Sequence, residues 1–191
     1  MNKNPIQLRI DTLAEHYNEF AEDPQGRLLR WLANPDTARM VDAFVSVQNE
    51  QGEYAPDLFI RFDEPFSDAN QHGFTLRDSL INQYQQSQSD LAEEGIVTDW
   101  VPPPVLRDES DASALVRCCE SMRDHHADQI EHLVGVLGPA HVEDTQAWAS
   151  WLEKLVTAEI AEHVRFMAVD DDSVPVLGEL AEAHPERVVT V

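Results

Sequence analysis

The sequence predicts an α/β fold of three layers, a mainly parallel sheet with flanking helices, preceded by an N-terminal helical segment. Two observations carry this expectation. Downstream of Pro102-Pro103-Pro104, amphipathic stretches of roughly ten to fifteen residues alternate with short apolar runs, the pattern of crossover units between parallel strands. The runs themselves, such as Leu58-Phe59-Ile60-Arg61-Phe62 and Val164-Arg165-Phe166-Met167-Ala168-Val169, are rich in aromatic and β-branched residues without strict alternation, as strands buried on both faces are.

Residues 1–52 form the expected helical segment, packed on or beside the sheet. Ile6, Ile10, Leu13, Tyr17 and Phe20 recur at helical spacing and share one face. Asp23-Pro24-Gln25-Gly26 breaks the chain. A second helical stretch is expected from about Arg27, where Leu28, Leu29, Trp31 and Leu32 lie close together. Asn34-Pro35-Asp36 interrupts it, and Asn34 or Asp36 caps a third stretch carrying Met40, Val41, Phe44 and Val45.

Residues 53–191 form the expected α/β domain, with strands near 57–63, 131–137, 163–169 and 187–191. A glutamine-rich helix from about Thr75 to Glu94 has Leu76, Leu80, Ile81, Tyr84 and Leu91 on its inner face, and Gly95 stops it. Trp100 and the three prolines after it make a stiff connector, either an internal boundary or a segment lying flat on one domain. Ser110 or Asp111 caps the next helix, with Leu115, Cys118, Cys119 and Met122 inward. Trp148, Trp151, Leu152, Leu155 and Val156 give the clearest helical period in the chain. Ser173 is expected to cap a short helix holding Val176, Leu177 and Leu180. The chain then ends within Val188-Val189-Thr190-Val191, which points to a domain cut from a longer polypeptide.

The composition is that of an ordinary globular chain, 42% apolar and 26% charged, so general disorder is not expected. The two cysteines are adjacent in sequence and cannot staple distant segments, so they read as small buried residues on a helix. Their reduced state fits a cytoplasmic protein. No secretory signal begins the chain, and no apolar run nears the roughly 20 residues a membrane span needs.

Charge is the unusual property. The formal net charge is −23, and each half of the chain carries 18 acidic side chains against seven or six basic ones. The acid is therefore a coat over the whole surface. Such a field repels phosphate backbones and anionic lipid, so neither nucleic acid nor membrane is an expected partner. A basic protein, or a further domain of the same polypeptide, is the expected one.

Four constellations bear on chemistry. The run Val164–Val169 delivers Asp170, Asp171 and Asp172 at its carboxyl end, the edge where open α/β sheets bind ligands and where acids can hold magnesium. This turn resembles the acidic strand end of P-loop NTPases. A glycine-rich loop ending in Lys-Ser or Lys-Thr is absent, and neither Lys3 nor Lys154 follows a glycine, so the wrapping of phosphates that such enzymes need has no carrier. Capping of the next helix by these acids is the simpler reading.

Asp63 and Glu64 follow the first strand of the second segment. They line the same edge if the two strands are parallel neighbours, giving an acidic crevice suited to a cation or basic peptide; a solvated turn is the plainer alternative. His125, Asp128 and His132 share one face if residues 125–132 are helical, a candidate metal triad. Glu159-Ile160-Ala161-Glu162-His163 approaches the spacings of di-iron and inverted zinc sites and matches neither.

No nucleophile elbow is present and no cofactor is implied. The sequence reads as a non-catalytic interaction or regulatory module, more readily a binding protein than an enzyme. In that reading the exposed apolar members of residues 27–47 face a partner. The alternative is a degenerate nucleotide-binding domain of P-loop NTPase type lacking the phosphate-binding loop. Behind it stands a metal-dependent hydrolase using the aspartates.

Overall fold

The computed structural model of the chain describes residues 4–52, 54–159 and 162–191. Within them six helices and five strands run in the order α1 (Pro5–Glu22), β1 (Leu28–Ala33), α2 (Pro35–Gln51), β2 (Leu58–Phe62), α3 (His72–Glu93), α4 (Asp111–His125), β3 (Leu133–Leu137), α5 (Thr145–Thr157), β4 (Val164–Asp171), α6 (Gly178–Ala183) and β5 (Val188–Thr190). The strands form one all-parallel sheet in the order β2-β3-β4-β1-β5, the expected architecture.

Residues 28–33 correct the sequence reading. They form a strand, not a helix, and β1 lies between β4 and β5, with Leu28 opposite both Phe166 and Val188. The sheet therefore runs through both of the segments expected at 1–52 and 53–191. Five of the six residues of β1 are buried, because helices cover both faces of the sheet. A strand covered on both sides has no need of alternating polarity.

Two cores fill the space on either side. Helices α1 and α2 cover one face, where Tyr17, Phe20, Phe44 and Val45 pack on Leu29, Trp31, Phe59, Val134 and Met167. Helices α3 to α6 cover the other, with Leu76, Leu115, Trp151, Leu155 and Leu180 on Leu28, Phe62, Leu133 and Phe166. Within residues 27–47, Leu28, Leu29, Trp31, Val41, Phe44 and Val45 are thus core, and Leu32 is the large apolar side chain left exposed. The surface expected there for a partner is spent on the fold.

The proline connector lies flat on the α3–α4 pair. Trp100 is buried and its Nε1 donates to Ser121 Oγ at 3.1 Å. Arg77 and Arg117 donate to the Pro103 and Pro104 carbonyls, satisfying groups that no neighbouring strand can reach. Cys118 and Cys119 are buried and unbridged on α4, and burial pushes the Cys118 thiol up to about 11.

Helices α3 and α4 approach closely at Gly73. A Cβ there would fall against the Asp111 carbonyl, which is backbone and cannot turn aside. Gly73→Ala is therefore expected to lower stability by about 1–3 kcal/mol through overpacking, read as a reduced urea midpoint at unchanged slope.

Candidate functional site

The carboxyl edge of the sheet opens into a cleft of about 620 Å³. Its floor is built by the last residues of four strands and its walls by α2 and α5. Trp31, Val41, Val136 and Met167 give an apolar side below α2, while Val142 and Trp148 form the opposite wall. Asp63, Asp170 and Asp171 all line it. Asp63 follows β2 and Asp170 lies near the end of β4, with β3 between them. They line one cleft but do not stand at the ends of neighbouring strands.

The acids expected at this edge have different fates. Asp170 is buried and fully engaged. Its Oδ2 accepts from Arg30 Nε at 2.8 Å and lies 2.7 Å from Arg30 Nη2, and it also accepts from Leu177 N at 3.0 Å. Its Oδ1 accepts from Val176 N at 2.9 Å. Asp171 is exposed and accepts from both the N–H and the hydroxyl of Ser173, which holds its carboxyl below the usual range. Its bond closes a turn; α6 begins only at Gly178 and has no side-chain cap at Leu177, so Ser173 does not start the helix.

Asp172 is exposed, and its N–H donates to the Ala33 carbonyl. Asp63 is exposed. Glu64 turns away into a shallow groove with Thr75 and Asp78, where its Oε2 is buried without a hydrogen-bond partner.

Arg61 is the basic residue of the cleft lining, and it is engaged too, with Asp42 Oδ1 at 2.9 Å and the Asp42 carbonyl. The Arg61–Asp42 and Arg30–Asp170 pairs cancel within themselves. Asp63 and Asp171 remain as the uncompensated charges of the lining.

The start of α2 shows why phosphate has no seat beside them. The β1–α2 junction is the single residue Asn34, whose Oδ1 accepts from Asp36 N and Thr37 N, both at 3.0 Å. Pro35 offers no N–H, and Asp36 places a carboxylate in the first turn. Anion binding at a helix start needs free amides and positive potential, and here the amides are taken.

The histidine triad does not assemble. Helix α4 ends at His125, so the shared helical face that the triad requires never forms. His125 Nε2 lies 3.0 Å from Asp99, Asp128 is exposed in the following turn, and His132 is buried beside Asp57. As they stand, no three His, Cys, Asp or Glu side chains among the described residues converge to hold a metal. Of the Glu159–His163 motif, Ile160 and Ala161 lie outside the described residues.

Sequence reasoning missed the cleft walls, Trp31, Arg61 and Trp148. Trp148 belongs to an aromatic cluster that sets the α5 wall: it stacks on Trp151 with centroids 5.4 Å apart, and His72 and Phe66 meet both rings edge-on or tilted. Asp111 anchors the cluster by accepting from Trp151 Nε1 and Gly73 N, each at 2.8 Å. Burial drives His72 down to about 4, so it is neutral in the folded protein, with nearby Asp111 opposing the shift.

No protein-family model and no curated protein matches the sequence. Among solved structures, a chain in the structure of Drosophila ORC bound to DNA is 13% identical with a TM-score of 0.38, covering 95% of this chain and 91% of that one. A chain in the structure of Drosophila ORC bound to GC-rich DNA and Cdc6 is 12% identical, also with a TM-score of 0.38; all of this chain matches 62% of that one.

Two measurements test the energetics of the site. Asp170→Ala strands the Arg30 guanidinium in the core and is expected to cost about 3–5 kcal/mol in urea denaturation, whereas Asp171→Asn keeps the turn acceptor and leaves the midpoint close to wild type. Because His72 has a folded-state pKa below its unfolded one, unfolding takes up a proton as pH falls from about 6.5 towards 4. The melting temperature should therefore fall more steeply across that window in the wild type than in His72→Leu.

Proposed function

We propose that the chain is a non-catalytic binding module whose cleft at the carboxyl edge receives a basic, partly apolar segment from a protein partner or from a further domain of its own polypeptide. The carrying observation is the cleft's balance of charge: Asp63 and Asp171 stand uncompensated beside an apolar floor, while every positive lining group is already paired. A cationic side chain at the rim gains from both carboxylates, and its apolar neighbours gain by covering Val169, which is exposed at the same edge. The overall charge of −23 steers such a segment towards the chain before contact.

The engaged state of Asp170 and of the α2 amides speaks against catalysis on a nucleotide. A carboxylate bound by a guanidinium and two amides has little capacity left for a metal, and a capped helix start does not cradle phosphate. A cytoplasmic setting suits the reduced pair Cys118 and Cys119.

The test pairs two ligands. A short peptide alternating arginine with leucine should quench the tryptophan fluorescence, with an affinity that weakens as salt rises. Asp63→Asn combined with Asp171→Asn should weaken it about fivefold, as expected for two exposed charge pairs. ATP with magnesium should leave the melting temperature unchanged; a clear rise would overturn this reading in favour of the nucleotide-binding alternative.

A further inference from the structure

A second cleft, of about 490 Å³, opens at the amino edge of the sheet. Two Glu-His pairs frame it, Glu131-His132 leading into β3 and Glu162-His163 leading into β4. The two strands are parallel neighbours, and Leu133 N donates to the His163 carbonyl at 2.9 Å. This pairing sets the imidazoles side by side, with centroids 5.6 Å apart and planes inclined by 40°. Two imidazoles sharing a tetrahedral metal at metal–nitrogen distances of about 2.0–2.1 Å have their centroids about 5–5.5 Å apart, so the rings stand close to that spacing.

His132 is oriented as a ligand is. Asp57 Oδ1 accepts from His132 N at 2.8 Å and lies 3.0 Å from its Nδ1. A carboxylate only accepts, so Nδ1 carries a proton, and in the neutral ring the lone pair is on Nε2. Tyr17 donates its hydroxyl to Asp57 Oδ2 and locks the carboxylate in turn. Tyr17, Asp57 and His132 are all buried. A carboxylate on the far nitrogen is the arrangement that fixes the tautomer and raises the basicity of metal-bound histidine.

His163 supplies an independent sign. Its Nδ1 is buried and has no hydrogen-bond partner, a condition that native proteins rarely tolerate without a water or an ion. The lining is also net acidic: Glu22, Glu131 and Glu162 join Asp57, against Arg165 alone. The Arg165 guanidinium is occupied by backbone carbonyls of Glu162, Val164, Ala21 and Asp23.

We propose that His132 and His163 bind one divalent transition-metal ion of the zinc type, with a carboxylate from Glu131 or Glu162 recruited as the third protein ligand. Glu131 and Glu162 are exposed and line the same cleft, so either is a candidate for that third position. Imidazole nitrogens select zinc, cobalt or nickel over magnesium and calcium. The ion would clip the entry of β3 to that of β4 and, through Asp57 and Tyr17, to α1. This site shares no residue with the carboxyl-edge cleft, and its test is independent of that reading.

The full chain is titrated with Co²⁺ and followed by visible absorption, then with Zn²⁺ by calorimetry and thermal shift. One equivalent should bind, with d–d bands of a nitrogen–oxygen site, and Zn²⁺ should raise the melting temperature. His163→Ala should abolish both effects, and Asp57→Asn should weaken affinity about 10- to 100-fold. The double variant His125→Ala, His126→Ala should bind like the wild type. The proposal fails if the wild type takes up no ion, if His163→Ala binds as well as wild type, or if binding is lost with His125 and His126 instead. Should His163→Ala melt below the assay temperature, Glu131→Gln with Glu162→Gln decides: weakened binding supports the site and unchanged binding overturns it.

Discussion

The buried pair of Arg30 and Asp170 is the constraint on which the rest of the structure depends. β1 occupies an inner position of the sheet, flanked by β4 and β5, and carries a guanidinium into the core that packs beneath α6. A charge in that setting is tolerable only if it is paired and its remaining donors are satisfied. Asp170 does this from the neighbouring strand and, with its other lone pairs, holds the amides of Val176 and Leu177 that lead into α6. One carboxylate thus fixes the β1–β4 register, the direction of the chain after β4, and indirectly the placement of β5. The acid that looks most like a ligand site is, in this fold, an internal fastener.

The two edges of the sheet divide the remaining chemistry. At the carboxyl edge, polar groups are largely consumed by their neighbours: Asn34 caps its own helix, Asp171 closes its own turn, and Arg61 is held by Asp42. What is left is an apolar hollow with a residual negative rim, which favours complementarity of shape and charge over bond-making. At the amino edge the balance reverses. Tyr17 and Asp57 spend themselves in orienting His132, which lines a cleft beside a second histidine with an unmatched atom.

The acidic coat has a structural consequence as well. With two lysines in the chain, nearly all positive charge is arginine, and several arginines are committed to carbonyls: Arg77 and Arg117 to the proline connector, Arg165 to the α1–β1 turn, Arg187 to the end of α5. The planar fork of guanidinium can serve several acceptors at once. Much of the scarce positive charge therefore ties irregular backbone to the fold, while acidic side chains dominate the exterior.

By itself, the sequence determined the layer architecture, the boundaries of β2 to β5 to within two residues, the amphipathic faces of α1, α3, α4 and α5, and the surface charge, because each is written in local periodicity and composition. It also held the two Glu-His pairs before β3 and β4, which local spacing assigned to separate motifs and did not bring together. It did not disclose β1. Leu28, Leu29, Trp31 and Ala33 face two different cores, so they show no alternation, and a polar Arg30 inside an apolar hexamer looks like a helix turning one face to water. Only the tertiary structure decides that segment, because the partner that permits Arg30 to be buried lies 140 residues later in the chain. The same holds at the candidate sites. Which carboxylates are free, which histidine is locked and which cleft is closed to phosphate depend on partners brought together by sheet order, and strand order is a property of long-range packing that local patterns do not encode.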